Sequence, residues 1–246
     1  MTDTQSASGS LTEAAYQTLR SDILSCRLRP GTRVKISALC ERVDANLSAV
    51  REALARLLAD GLVVSEPQKG FQIAPISVKD LNDLAFARTE VELLCLRCAL
   101  RHGGIEWESR LVAAFHRLSR TSEHTEDDDH ELNETYLKAA EEYFEAMMSA
   151  CDNEWLLRLR RQTYVQYERY RRLTVVGSMG RRNLHKEFRE LMDSVLAGDA
   201  ELAEKRLRAM ITPSREFVEN LEEQVAAPAK KANPPPKRRS PRSKAA

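Results

Sequence analysis

The 246-residue chain has no stretch approaching the ~20 apolar residues that a membrane helix needs. Its first ten residues are polar, without the basic-then-apolar order of a secretory leader, so a cytoplasmic protein with no membrane partner is expected. Five cysteines (Cys26, Cys40, Cys95, Cys98, Cys151) are an odd number in a chain without an export signal, which argues against a disulfide framework. The nine glycines form no phosphate-cradling loop, and no serine sits in a nucleophile elbow. His102, His116, His124, His130 and His185 include no pair four residues apart of the kind a helical metal site uses. Cys95-x-x-Cys98 has no second cysteine pair, no histidine is read as its partner, and it is taken as helix packing. These gaps leave no catalytic constellation, so neither an enzyme nor a cofactor is expected.

What is present is an uneven charge distribution behind a net charge of +1. Residues 11–75 carry nine Lys/Arg against seven Asp/Glu, residues 76–224 carry 22 against 29, and residues 225–246 carry seven against none. A polyanion would therefore be met at the ends of the chain, not by its middle. The tail over 225–246 is basic and proline-rich, with no large apolar residue after Val225, and is expected to be disordered, as are residues 1–10. It either adds nonspecific affinity for nucleic acid or is a solvated tail with no specific role. The acidic run Glu126-Asp127-Asp128-Asp129 reads as a solvated loop.

Over residues 11–75 the apolar period changes twice. Leu11, Ala15, Leu19 and Ile23 recur every four residues, as on one face of a helix, and Arg29-Pro30-Gly31 ends it. Ile36, Leu39 and Cys40 mark a short second helix with Ser37 as its cap. Val50, Ala53, Leu54, Leu57 and Leu58 stripe a third, which begins at Asn46-Leu47-Ser48 and closes at Asp60-Gly61. Residues 62–65 and 70–73 then read as two strands around a turn. Three helices and a hairpin are the plan of a winged helix-turn-helix, whose third helix enters the major groove, although interaction modules share that geometry. The polar start of the third helix, with Arg51 one turn on, favours DNA.

The segment from Leu19 to Ile76 closely resembles the DNA-binding domain of the GntR family of regulators. The match is carried by Arg29-Pro30-Gly31-Thr32-Arg33, by Val50-Arg51-Glu52-Ala53-Leu54-x-Arg56-Leu57, by Asp60-Gly61-Leu62-Val63 and by Lys69-Gly70-Phe71. That resemblance implies DNA contacts from Arg33, Ser48, Arg51, Lys69 and Gly70. Where the family often has an arginine just inside the recognition helix and a proline two residues later, this chain has Leu47 and Ala49, which removes a guanine reader.

Residues 76–224 read as wholly helical, with helices expected near 78–102, 106–122, 131–151, 154–174, 180–197 and 199–223. Arg88 and Glu92 interrupt the apolar face of the first, four residues apart, so they form either a structural ion pair or a ligand contact. The segment "LNDLAFARTEVELLCLRCAL" resembles the opening helix of the effector domain in the FadR branch of that family, where the matching arginine faces the effector cavity. The family's metal ligands fall by that resemblance on Ala140, Phe144, Phe188 and Met210, none of which can bind a metal. These four either line a metal-free cavity for an organic acid with an apolar body or simply pack as core, and His185, one turn before Phe188, either joins that cavity or lies on the surface.

The fold expected is mainly α: a winged helix-turn-helix with a small β-hairpin wing, followed by an all-α helical bundle. The function implied is a homodimeric, ligand-responsive DNA-binding transcription regulator that reads an inverted-repeat operator, a repressor of a catabolic or transport operon. The alternatives are a helical enzyme or metalloprotein with an accessory helix-turn-helix, and a nonspecific nucleic-acid binder acting through the tail.

Overall fold

The computed structural model describes residues 3–66, 68, 70–124, 133–178 and 183–226. Lys69, the acidic run and the basic tail beyond Ala226 lie outside them. Helix α1 (Asp3–Leu24) begins eight residues before the Leu11 start, so the segment expected to be disordered is helical from Asp3. Its buried face is Thr12, Ala15, Leu19 and Ile23, while Leu11 is exposed. Gly31 adopts a left-handed φ of +73° in the turn that follows, a conformation glycine reaches without a Cβ clash. Helix α2 (Ile36–Val43) starts two residues earlier than a Ser37 cap requires: its N-cap is Lys35, with no side-chain hydrogen bond. Helix α3 (Leu47–Ala59) is capped by Asn46, whose side chain accepts from the Ala49 N–H at 2.9 Å.

The wing has one strand more than the sequence suggests. Strands β1 (Arg33–Val34), β2 (Val63–Glu66) and β3 (Gly70–Ile73) form an antiparallel sheet in the order β1-β3-β2. Arg33 pairs with Gln72 and Val64 with the same residue from the other side. Two residues are too short to show an alternating pattern, which is why β1 is silent in the sequence. Leu19, Ile23, Leu39, Val50, Leu54, Leu57, Leu62 and Ile73 form the core beneath this unit.

The second unit comprises α4 (Val78–His102), α5 (Ile105–Ser119), α6 (Glu134–Met148), α7 (Glu154–Ser178), α8 (Leu184–Leu196), α9 (Ala200–Ile211) and α10 (Arg215–Ala226). The single helix expected over 199–223 is two, broken at Thr212-Pro213-Ser214, because a proline supplies no N–H and its ring clashes with the preceding turn. Leu93, Leu96, Trp107, Leu111, Phe115, Tyr143, Met147, Leu191 and Leu207 make the main core, and Leu81, Tyr170 and Leu221 a smaller one. No helix of the described residues is long and apolar enough to cross a membrane.

Helix α7 also touches the winged unit. Gln166 donates to the Asp60 carbonyl at 2.5 Å, and Arg169 donates to the carbonyls of Ala74 and Pro75 in the connecting segment. A second Arg169 nitrogen donates to Gln166 at 2.9 Å, and Val165 packs against the winged core.

Candidate DNA-reading face and effector cavity

The polar side of α3 is the exposed one. Ser48 and Arg51 are solvent-facing, whereas Ala49, Val50, Ala53, Leu54 and Leu57 are buried, so the apolar stripe that anchors the helix also fixes which residues it presents. Leu47 stands at the same tip, 52% exposed. Arg33 is exposed on β1, and Gly70, at φ +81°, opens β3 beside it in the sheet. Lys69 is outside the described residues. Beneath this face Asp22 is a buried anchor: it accepts from Arg27 at 2.6 Å and from Arg42 at 2.5 Å, tying the end of α1 to α2. Burial alone would push its carboxyl up, but the two arginines outweigh that and hold it below its ordinary value.

In the helical unit a cavity of about 110 Å³ lies between α4, α7, α8 and the α9–α10 break. Arg88, Phe144, Tyr164, Tyr167, Glu168, Arg171, Phe188 and Met210 face it, and Thr212 to Ser214 with Phe217 close one side. Arg88 is only 4% exposed, and its guanidinium carbon sits 4.9 Å and 4.6 Å from the ring centres of Tyr164 and Tyr167. Its Nε has no hydrogen-bond partner. The nearest carboxylate, Glu92, is 3.6 Å away and already accepts from Arg160 at 3.0 Å. Arg171 is engaged by Glu168 at 2.9 Å, and Arg172 by Glu134. Glu92 thus stands between two buried arginines, Arg160 hydrogen-bonded to its Oε2 and Arg88 3.6 Å from its Oε1, so the pair carries one positive charge more than the carboxylate it shares. Desolvation pushes the Tyr164 phenol up, so it remains a neutral hydroxyl at physiological pH.

Residues 11–73 match the model of the bacterial regulatory proteins of the gntR family, and residues 83–212 match that of the FCD domain. The chain belongs to the GntR family. Among its relatives, the HTH-type transcriptional regulator BphR of Paraburkholderia xenovorans (strain LB400) is 42% identical over 205 residues, 83% of this chain and 84% of that protein. The HTH-type transcriptional repressor GlaR of Escherichia coli (strain K12) is 30% identical over 203 residues, 80% of this chain and 91% of that one. The solved structure of E. coli McbR/YncC superposes with a TM-score of 0.67 at 19% identity, covering 87% of this chain and 98% of that one, which shows a shared fold. This GntR protein is therefore a DNA-binding, ligand-responsive transcription regulator, like the regulators it matches, and not an enzyme.

Of the residues the sequence nominates for the effector site, the cavity brings together Arg88, Phe144, Phe188 and Met210. Glu92 sits behind Arg88 instead of on the wall. Two nominations need correction. Ala140 is buried in the main core, not at the cavity. His185 is exposed, its ring 5.6 Å from that of Phe115, and is not on the cavity wall. The FCD metal does not fit here: Phe144, Phe188 and Met210 supply no nitrogen or oxygen ligand, and Glu168, the one carboxylate on the wall among the described residues, is taken by Arg171. The residues the sequence reading misses are on α7. Arg160, Tyr164, Tyr167, Glu168 and Arg171 recur at helical spacing along one face, a signal that a search for apolar stripes passes over because the stripe is aromatic and charged.

Proposed function

We propose that this protein is a homodimeric repressor that binds an inverted-repeat operator through paired α3 helices and responds to a small organic acid held by Arg88. The observation that carries the ligand reading is a buried arginine in excess of its carboxylates, facing an aromatic cavity. A carboxylate would complete its hydrogen bonds in bidentate fashion, and Phe144, Phe188 and Met210 would cover the apolar remainder. Size limits the candidates: an apolar cavity of about 150 Å³ takes a benzene-sized guest, so about 110 Å³ suits a short acid smaller than a ring-bearing one. Repression is supported by the name of the repressor GlaR, and control of a catabolic or transport operon by the metabolite-like size of that effector. The second copy is supported by large exposed apolar side chains, among them Trp155 and Leu159 one turn apart on α7 and Phe86 on α4, which a symmetric partner would cover.

The test is a thermal-shift panel of short carboxylic acids beside their neutral amides. Acids should stabilise the wild-type protein, by about 2.7 kcal/mol at one hundred times Kd, and amides should not. Arg88→Ala should abolish the acid effect and leave the ligand-free melting temperature within a few degrees. Equal stabilisation by acids and amides would overturn the carboxylate reading. Sedimentation at micromolar concentration tests the dimer, and a purely monomeric species would remove it.

A further inference from the structure

Away from the effector cavity, three unlike side chains converge where α4 ends against the loop joining α6 to α7. Cys98 Sγ lies 3.0 Å from Asp152 Oδ1 and 3.7 Å from His102 Nδ1, and His102 Nδ1 lies 3.6 Å from Asp152 Oδ1. The ligand atoms of the three residues fall within 4.8 Å of one another. Cys151, next to Asp152 in the chain, is buried. None of these residues lines the effector cavity. His102 stands four residues after Cys98, one turn along the same face of α4, the ligand spacing that the sequence reading did not credit.

We propose that Cys98, His102 and Asp152 form a three-residue binding site, its fourth position left to water, for a thiophilic divalent ion of the zinc type. The geometry is close to what such an ion requires. Zinc about 2.3 Å from sulfur and about 2.0 to 2.2 Å from nitrogen and oxygen, tetrahedrally arranged, sets ligand-to-ligand separations of about 3.4 to 3.6 Å. Two of the three separations already lie within a few tenths of an ångström of that. The third, between Cys98 and Asp152, is now a hydrogen bond and would open by about half an ångström as the ion replaces the thiol proton. The ligand set mixes a soft sulfur with imidazole and carboxylate, which suits zinc and disfavours magnesium or calcium.

The same residues do not make a nucleophile. A catalytic cysteine needs a histidine that takes its proton on one ring nitrogen and is held by an acid through the other. Here Cys98 and Asp152 both address Nδ1, and the thiol is buried on the face of a helix. Three groups directed at one point describe a shared ion. An ion held there would pin the loop before α7 to the last turns of α4, and α7 is the helix that reaches the winged unit.

The experiment uses the full-length protein, reduced and stripped with a chelator, titrated first with Co²⁺ and then with Zn²⁺. One Co²⁺ per chain, with the charge-transfer absorption of a thiolate ligand and displacement by Zn²⁺, is the expected result. His102→Ala and Asp152→Ala alter exposed side chains that folding does not depend on, and each should weaken binding at least tenfold; Cys98→Ala should remove the thiolate absorption. Binding without that absorption, or with an affinity unchanged in both His102→Ala and Asp152→Ala, would overturn the site. Loss of two free thiols under mild peroxide, without metal uptake under reducing conditions, would overturn it in favour of an oxidisable pair among Cys95, Cys98 and Cys151. Arg88→Ala should leave all these readouts unchanged, so this inference and the acid-effector reading fail separately.

Discussion

Leu47 and Arg51 sit one turn apart at the tip of α3, and their chemistry divides what the helix can read. Arg51 can make a charge-assisted contact with phosphate or guanine, so Arg51→Ala should cost about 1 to 3 kcal/mol of operator affinity, roughly ten- to a hundredfold in Kd at constant salt. Leu47 offers only methyl groups, which complement the thymine C5-methyl and cannot read guanine. Selection of bound sites from random DNA should therefore enrich thymine opposite Leu47, and Leu47→Arg should move the preference to guanine; an unchanged selected motif would remove Leu47 from the interface. Asp22 makes a different residue-scale prediction. Its pKa is depressed in the folded state, so the stability it contributes is present above its unfolded value near 3.8 and is lost as pH falls through the folded value below that. Asp22→Asn should lower the melting temperature at pH 7 and flatten its decline in acid. Exposed residues of this kind were legible in the sequence because the helical period alone separates Ser48 and Arg51 from Val50 and Leu54. Arg88 was legible as a charge on an apolar face. Its surroundings were not: Tyr164, Tyr167 and Glu168 come from a helix some eighty positions away, and no local pattern states which face of α7 meets α4.

At the scale of elements, caps and breaks decide where function sits. Asn46 caps α3 and leaves the recognition helix starting at Leu47, so Asn46→Ala should cost about 1 kcal/mol and fray the turn that presents Ser48. Gly61 ends the same helix at φ +70°, and a Cβ there would lie 3.2 Å from Gln166 Nε2 of α7. Gly61→Ala therefore strains the backbone by about 1 kcal/mol and pushes on the contact between the two units; the check is a chemical melt of the full chain beside its operator affinity. The Asp60-Gly61 stop was readable because glycine beyond an apolar stripe is a helix terminator. The break at Pro213 carries an equally plain residue signal, but the helical spacing of Leu207 and Leu221 runs on past it, so periodicity alone joins the two helices. Ser37 is not the cap, because α2 already begins two residues sooner, at Ile36 with Lys35 as its N-cap.

At the scale of the molecule, α7 serves both units from one stretch, its residues toward each interleaved along the helix. Its Arg160, Tyr164, Tyr167 and Glu168 form or back the effector wall, and its Gln166 and Arg169 hold Asp60, Ala74 and Pro75. A ligand that favours one setting of α7 changes the position of α3 through these bonds, and coupling of this kind typically amounts to about 1 to 3 kcal/mol. Gln166→Ala should leave the acid-induced thermal shift in place while reducing the change in operator affinity that the acid produces, a separation readable by titrating DNA with and without ligand. The size of the cavity has a further consequence, for the concentration at which the regulator answers. A guest of no more than about six heavy atoms cannot exceed about 1.5 kcal/mol of binding per atom and in practice falls well short, which confines Kd to the micromolar-to-millimolar range. Reversing a conformational balance from 1:99 to 99:1 would need about 5.5 kcal/mol of preference between the two settings, most of what so small a guest can supply. The response should accordingly be shallow and set to the level of an abundant metabolite, behaving as a gauge of bulk supply instead of a detector of traces.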